Sequence, residues 1–273
     1  MSIAPAVTIV MAAMRKHGVR ALLMGGQACI AYGASEFTRD IDLAILADDA
    51  SLAALTAAVG ELQAEQIAVP RLDRSLLDAG HAVHFRCRAL GVEGIRVDVM
   101  SRMRGVDSFE RLWERRAVLA NGIEVLSLAD LVKAKKTQRD KDWPMLRRLL
   151  EVDYFARRDR CTDQDVMFWL KESRTPSILI ELAKAFPELA GGVDRAAIRT
   201  VMEGSAAKQS QGTTESPGAI EAFTEARIIE ALRSEEERER DADRAYWAPL
   251  RAQLEELRRD RPRGTDGGSA PAP

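Results

Sequence analysis

Cysteine is scarce in this chain, with three among 273 residues. Cys29, Cys87 and Cys161 lie far apart and form no C-x-x-C pair. An odd and dispersed set of cysteines is typical of proteins in a reducing compartment, and it argues against a disulfide framework or a structural zinc site. The cysteine content therefore predicts a cytoplasmic protein.

Long apolar runs and a large net charge are missing as well. No apolar stretch approaches the roughly 20 residues that a membrane span needs. Arg15 and Lys16 follow the apolar residues 2–14, whereas a secretory signal has its basic residues first, so we expect an amphipathic first helix and no membrane association. The net charge of −2 argues against binding nucleic acid through bulk positive charge, although it is compatible with a local basic patch.

Several familiar signatures are also absent. The Gly25-Gly26 pair does not continue into the G-x-G-x-x-G spacing of a dinucleotide-binding turn. No Ser–His–Asp grouping can be picked out. His81, His84 and Cys87 do not make a zinc site, because His84 and Cys87 would lie on opposite faces of a strand and a fourth ligand is missing.

Helical and strand-like patterns alternate over residues 1–150, which predicts an α/β or α+β domain. The patterns typical of strands cover residues 20–25, 39–46, 82–90 and 94–101. A short hairpin is predicted around Asn121-Gly122. Ser127 and Asp130 have the spacing of a capping box, which predicts that a helix begins there.

Strand patterns stop at about residue 151. Beyond it we expect three or four short helices at 151–203, a linker at 204–218, charged helices at 219–260 and a disordered tail at 261–273. Phe223, Ala226, Ile229 and Leu232 mark one helical face, whereas residues 233–244 are predicted to be solvated on all sides, and the helix is expected to break or restart at Pro249. Trp247, Leu250, Leu254 and Leu257 form a narrow apolar stripe that could pack on the core or on a partner.

Two aspartates interrupt the strand pattern of residues 39–46. Because side chains alternate between the faces of a strand, Asp40 and Asp42 would share one face with Ala44, while Ile41 and its apolar neighbours anchor the other. Adjacent carboxylates repel each other and raise each other's pKa unless a cation neutralises them. Mg²⁺ suits this role because it prefers carboxylate oxygens and keeps positions open for water and phosphate.

A third aspartate repeats the pattern on a later strand. Asp98 alternates with Val97 and Val99, so its carboxylate lies on the polar face and could complete a two-metal site for in-line phosphoryl displacement, or act as a general base. Upstream, Gly25-Gly26 ends a strand and opens a helix, where backbone N–H groups can approach a triphosphate.

The segments "MGG", "TRDIDL" and "VDV" together resemble the nucleotidyltransferase superfamily of the DNA polymerase β type. The resemblance covers residues 1–150 and is greatest to the small bacterial branch of antitoxin, abortive-infection and aminoglycoside-modifying nucleotidyltransferases. It implies an α+β fold, with a nucleotidyltransferase core of a short mixed β-sheet flanked by helices and an all-helical C-terminal region after it.

The resemblance also implies roles for individual residues. Gly25, Gly26 and Thr38 would bind the nucleotide, and Asp40, Asp42 and Asp98 would be catalytic and hold two Mg²⁺ ions. "DLVKAKKTQRDKDWPML" is similar to the branch's lysine-bearing helix, so Lys135 or Lys136 would reach a phosphate. The chain departs from the pattern at Glu36, where many members have arginine, at Gly26, where a variant has serine, and at Met145, where a second acid is usual.

The expected activity is Mg²⁺-dependent transfer of a nucleoside monophosphate from a nucleoside triphosphate such as ATP to an acceptor hydroxyl, with release of pyrophosphate. The acceptor stays open among tRNA, protein and small molecules. The alternative is a non-catalytic protein of the same fold that acts by binding in a toxin–antitoxin or phage-defence pair, with the C-terminal helices as a partner surface. His84, Arg86 and Arg88 share a strand face and could line a nucleic-acid or phosphate path.

Overall fold

A mixed β-sheet forms the centre of the first half of the molecule. The computed structural model describes residues 4–34, 38–210 and 217–259, and within them seven strands form one sheet in the order β3-β4-β5-β2-β1-β7-β6. The strands are β1 (Ala21–Met24), β2 (Ile41–Ile45), β3 (Glu65–Gln66), β4 (Val83–Arg86), β5 (Arg96–Met100), β6 (Ala117–Val118) and β7 (Glu124–Val125).

The pairing of the strands places β2 and β5 side by side. β2 is antiparallel to β1 but parallel to β5, and the register sets Asp42 opposite Asp98. β4 is antiparallel to β5, which confirms the predicted pair of strands, and β6 with β7 confirms the hairpin at Asn121-Gly122. The chain is therefore α+β, with a mixed sheet as expected.

Helices surround the sheet and make up the rest of the described chain. Those of the first half are α1 (Pro5–Lys16), α2 (Gly25–Ala31), α3 (Asp49–Glu61), α4 (Arg74–Ala79), α5 (Phe109–Glu114), α6 (Leu128–Ala134) and α7 (Asp142–Arg157). Those of the second half are α8 (Asp163–Glu172), α9 (Pro176–Ala185), α10 (Pro187–Gly191), α11 (Ala196–Ser210) and α12 (Pro217–Arg259). Helix α6 begins at the expected signal, Ser127, and Thr162 caps α8 in the same way; their side-chain oxygens satisfy N–H groups that have no partner within the helix.

The buried apolar side chains of the described residues form two clusters. The first surrounds the sheet, with Leu22, Leu43 and Val99 at its centre, and the second lies among the later helices around Trp169. Helix α7 belongs to both, because its residues from Met145 to Leu150 pack in the first cluster and Tyr154 packs in the second. The predicted domain boundary at residue 150 thus falls inside a helix.

The long helix α12 contacts both halves of the described chain. Ile228 and Leu232 pack in the second cluster, while Tyr246 and Leu250 lie against Gly80 of the first half. The prediction of a break at Pro249 is wrong, because α12 continues through it to Arg259. Packing of the residues just before and after the proline compensates for the backbone hydrogen bond that proline cannot donate.

The C-terminal segments differ in part from their predicted bounds. Helix α11 extends to Ser210, seven residues into the predicted linker at 204–218, and α12 begins at Pro217. The remaining linker residues 211–216 and the predicted tail at 261–273 lie outside the described residues. None of the described helices is both long and apolar enough to span a bilayer.

Candidate active site

The site is built around the junction of β1 and α2. Gly25 stands at this junction with φ +65°, and a Cβ atom placed on it would lie 1.8 Å from Oδ2 of Asp42. Only glycine combines this backbone conformation with so close an approach. The Gly25-Gly26 pair therefore brings the start of α2 directly against the Asp42 carboxylate.

Two of the three predicted carboxylates lie on neighbouring strands. Asp42 of β2 and Asp98 of β5 are register partners, and both are half-buried. Burial, followed by the charge of Asp98, raises the pKa of Asp42 to about 6. Asp40 differs from the prediction, because β2 begins only at Ile41 and Asp40 lies in the exposed segment before it.

Asp98 is held by two basic side chains. Its Oδ1 accepts hydrogen bonds from His84 Nδ1 at 2.8 Å and from Arg96 Nε at 2.7 Å. Burial would raise the pKa of Asp98, but these hydrogen bonds outweigh it and keep the pKa below its usual value. Of the basic face predicted on β4, only His84 contacts the site, since Arg88 pairs with Glu65 at 2.6 Å and Arg86 is exposed.

The segment between α6 and α7 forms the opposite wall. Lys135 is buried, and its ammonium lies 3.2 Å from Oδ1 of Asp142, the first residue of α7. Thr137 Oγ1 and Arg139 Nε donate to the other oxygen of Asp142 at 2.5 and 2.7 Å. Asp142 thus fixes the conformation of the loop that presents these cations.

Lys136 has different partners from Lys135. Its ammonium lies 2.7 Å from Glu172 Oε2 and 3.9 Å from Glu239 Oε1. Arg104 donates to the same Glu239 at 2.8 Å and to the backbone oxygen of Lys136. The predicted phosphate-binding lysines are therefore both present at the wall, each in an ion pair.

All of the predicted site residues border one cavity of about 510 Å³. They are Gly25, Gly26, Thr38, Asp40, Asp42, Asp98, Lys135 and Lys136. Residues separated by more than a hundred positions in the sequence are thus brought to one place by the sheet register and the α6–α7 loop. Glu36 lies outside the described residues, and Met145, at the third departure, is buried in the first cluster.

Sequence reasoning missed the contribution of α12 to this cavity. Asp243, Trp247 and Arg251 also border it. Asp243, predicted to be solvated, is buried and accepts hydrogen bonds from Arg104 Nε at 3.2 Å and from the backbone N–H of Gln138 at 2.8 Å. The sequence signal that could have revealed this contribution is the four-residue spacing of Asp243, Trp247 and Arg251, which places all three on one side of a helix.

The side chains at the cavity offer mainly oxygen donors, the kind that Mg²⁺ requires. Within the described residues, no group of three or more His, Cys, Asp and Glu side chains stands ready as a metal cluster. The chemistry of the residues present nevertheless fits a hard cation: Asp42 and Asp98 are paired across two strands, the charge of Asp98 adds to burial in raising the pKa of Asp42, and carboxylate oxygens are the preferred ligands of Mg²⁺. The hydrogen bonds from His84 and Arg96 both end on Oδ1 of Asp98.

No protein-family model matches the chain, and comparison with curated proteins finds no similar protein. A functional interpretation therefore rests on the residues that border the cavity.

Proposed function

We propose that the protein is a Mg²⁺-dependent nucleotidyltransferase, built on a nucleotidyltransferase core, that transfers a nucleoside monophosphate from a triphosphate to an acceptor hydroxyl. The acceptor oxygen bonds to the α-phosphorus, and the bond from this phosphorus to the oxygen that bridges to the β-phosphorus breaks. Pyrophosphate leaves with that oxygen, and the hydroxyl proton passes to solvent. The proposal depends on the opposite charges of the two cavity walls.

The wall formed by β2 and β5 is acidic, whereas the wall formed by the α6–α7 loop is basic. The two walls compensate each other only in part: Lys135 and Arg139 lower the pKa of Asp42, but both are bonded to Asp142, and burial with the charge of Asp98 keeps the pKa of Asp42 raised. A ligand that fits both walls presents a cation to the aspartates and an anion to the lysines. A complex of a divalent metal with a nucleoside triphosphate has this distribution of charge.

In this proposal Asp40, Asp42 and Asp98 hold Mg²⁺. When bound there, the metal would stabilise the charge that develops on the attacking and leaving oxygens. Hydrogen bonds from His84 and Arg96 fix the orientation of Asp98 and keep it ionised. A carboxylate with a lowered pKa is a weak proton acceptor, which favours Asp98 as a metal ligand over Asp98 as a general base.

The contacts of the two lysines suggest different roles. Moving Lys135 toward a phosphate would break its buried ion pair with Asp142, and breaking such a pair costs about 3–5 kcal/mol. Lys136 is paired with Glu172 and Glu239 instead, and Arg139, although it is also bonded to Asp142, has a side chain that is 56% exposed. We therefore assign phosphate binding to Arg139 and, in exchange for its pair with Glu172, to Lys136, and the positioning of the loop to Lys135.

The test is transfer of label from each α-³²P nucleoside triphosphate, with Mg²⁺, into a cell extract that supplies RNA, protein and small molecules. Asp42→Asn should lower transfer by about 100-fold, the upper end of what loss of a residue that supports a metal costs. The matched control is Asp159→Asn, which removes the charge of a fully exposed aspartate outside the cavity. Absence of both transfer and triphosphate binding in the wild-type protein would refute the proposal.

The non-catalytic alternative depended on a free apolar stripe on the C-terminal helices. The structure instead gives part of this stripe contacts within the chain: Trp247 borders the cavity, and Leu250 is buried against Gly80. The discriminating experiment is the double variant Asp40→Ala/Asp42→Ala in cells. A cellular phenotype that survives both changes would favour binding over catalysis.

A further inference from the structure

A second cavity, of about 820 Å³, lies beside the first. Six cationic side chains border it: Lys136, Lys171, Arg174, Arg195, Arg199 and Arg238. The acidic residues at its wall are Asp194, Glu235 and Glu239. The lining therefore has a net charge of +3 in a chain whose net charge is −2, and this concentration of positive charge points to an anionic ligand.

These cationic side chains differ in how many hydrogen bonds and ion pairs they form within the chain. Arg195 is buried and bonds to Glu235 and to the backbone oxygens of Leu170 and Ser173. By contrast, Lys171 and Arg238 are exposed and form no ion pair with any described residue. Their ammonium and guanidinium groups are available to a ligand at the rim of the cavity.

Arg174 supplies an independent sign of a missing partner. Its side chain is 9% exposed, and its buried Nε has no hydrogen-bond partner among the described residues. It shares the single carboxylate of Glu235 with Arg195. Burial, followed by the charge of Arg195, lowers the pKa of Arg174. A buried guanidinium with an unused donor is costly unless a further acceptor reaches it.

The two cavities share one lysine and one helix. Lys136 borders both, and on α12 Arg238 and Ala242 face the second cavity while Asp243 and Trp247 face the first. A ligand that occupies both must be elongated and must offer repeated negative charge to the second cavity. Arginine side chains bind phosphate oxygens through paired donors.

We propose that the second cavity binds the phosphodiester backbone of a single-stranded polynucleotide, whose terminal hydroxyl is the acceptor in the first cavity. The assignment of the strand as acceptor rests on the proposed function, but binding of the strand does not. A polynucleotide end fits because it combines a hydroxyl with a chain of phosphates, whereas a small-molecule acceptor would leave the second cavity without a ligand.

The test measures binding of a fluorescent single-stranded RNA of about 12 nucleotides by anisotropy, without Mg²⁺ or triphosphate. The variant Lys171→Ala/Arg238→Ala removes two cations that have no ion pair, so no acid is left unpaired. Its affinity should fall by about five- to tenfold at low salt, and the slope of log K against log[salt] should decrease by about 1.4, or 0.7 for each lost phosphate contact. The control Lys184→Ala/Arg233→Ala removes one exposed lysine and one exposed arginine of α9 and α12 outside the cavity, and it should bind like the wild type.

Competition identifies the class of ligand. Unlabelled RNA should displace the probe, whereas polyglutamate of the same charge and inorganic phosphate should not. Equal competition by polyglutamate would overturn the proposal in favour of an acidic peptide, and so would undetectable RNA binding or equal loss in the control variant.

A separate outcome isolates the acceptor assignment. If RNA binds as expected but label from α-³²P triphosphate appears only on protein or small molecules, the strand is not the acceptor. If RNA binds and no transfer to any acceptor is found, the proposed enzymatic function fails while the polynucleotide site stands.

Discussion

Replacing Gly25 by alanine tests the arrangement of the site most directly. Two effects act together at this position: φ is +65°, and the new Cβ would lie 1.8 Å from Oδ2 of Asp42. The backbone conformation alone costs alanine about 1–2 kcal/mol. Displacing the Asp42 carboxylate adds about 1–3 kcal/mol, as for other overpacked sites. We expect a total loss of about 2–5 kcal/mol in the free energy of unfolding.

Two other glycines separate these effects. Gly18 has φ +80° with open space around its Cβ position, so Gly18→Ala should cost only the backbone term. Gly60 lies in α3, with no positive φ and no neighbour within 4 Å, so Gly60→Ala should raise stability by about 0.5–1 kcal/mol. Denaturant unfolding of the three variants, at unchanged m-value, measures each difference.

The same Gly25→Ala substitution made in an Asp42→Ala protein tests whether the Asp42 side chain is what the new methyl group displaces. In an Asp42→Ala protein the two atoms nearest to the new methyl group, Oδ2 and Cγ, are gone, while the Cβ of residue 42 at 2.9 Å remains, so Gly25→Ala should cost clearly less than in the wild type but still more than Gly18→Ala does there. The double-mutant cycle gives this coupling. If Gly25→Ala costs the same in both backgrounds and leaves nucleotide transfer intact, the close approach of Gly25 to Asp42 is not a feature of the site.

Two further predictions concern buried groups. Asp142→Asn removes the carboxylate charge that lies 3.2 Å from the buried Lys135 ammonium and should cost about 3–5 kcal/mol at neutral pH in denaturant unfolding. Burial would raise the pKa of Asp142, but Lys135 and the other partners of this carboxylate lower the pKa below its usual value. The contribution of Asp142 to the free energy of unfolding is therefore present above about pH 4 and is lost as the pH falls through the folded-state pKa. The variant should accordingly lose less stability on acidification than the wild type. The second prediction concerns the thiols: burial raises the pKa of Cys87 to about 11, and Cys29 is also buried, whereas Cys161 is half-buried. A thiol reagent at about pH 8 should therefore label Cys161 alone in the native protein. Rapid labelling of Cys87 would contradict the packing of β4.

Local sequence patterns were sufficient to predict the elements that position the carboxylates. Alternation of Val97 and Val99 with Asp98 follows from the two faces of a strand, and the structure buries both valines while Asp98 borders the cavity. The capping oxygen of Ser127 could be predicted because a cap involves residues only three positions apart. Pairing of Asp42 with Asp98 required the sheet order, which short-range patterns do not contain.

The contacts of Asp98 show the limit of strand patterns. His84 was placed correctly on a basic face, but its hydrogen bond to Asp98 depends on the antiparallel register of β4 and β5. Arg88 belonged to the same predicted face and instead pairs with Glu65 beyond the end of the strand. Side-chain alternation predicts which face a residue occupies and not which residue stands opposite.

The acidic residues of α12 explain why the C-terminal half was harder to predict. One every-fourth-residue series runs along the helix: Glu235, Glu239, Asp243, Trp247 and Arg251. Its acids bond to arginines more than 30 positions away, since Glu235 pairs with Arg174 and Arg195, and Glu239 and Asp243 pair with Arg104. The other sides of α12 are also charged, so a measure of amphipathicity based on apolar residues does not distinguish the side that carries this series.

The same series explains how one helix can border two cavities. Successive residues at four-residue spacing move about 40° around a helix, so a contact line that keeps this spacing winds slowly across its surface. Glu235 therefore faces the second cavity and Arg251 the first, with Glu239 and Asp243 bonded to Arg104 between them. A buried carboxylate is tolerated only beside a cation, so each acid of the series marks the place of an arginine that the chain supplies from elsewhere. In a helix that carries many acidic and many basic residues, an acidic residue can therefore be recognised as buried only when the arginine that pairs with it is known. The position of that arginine depends on the fold.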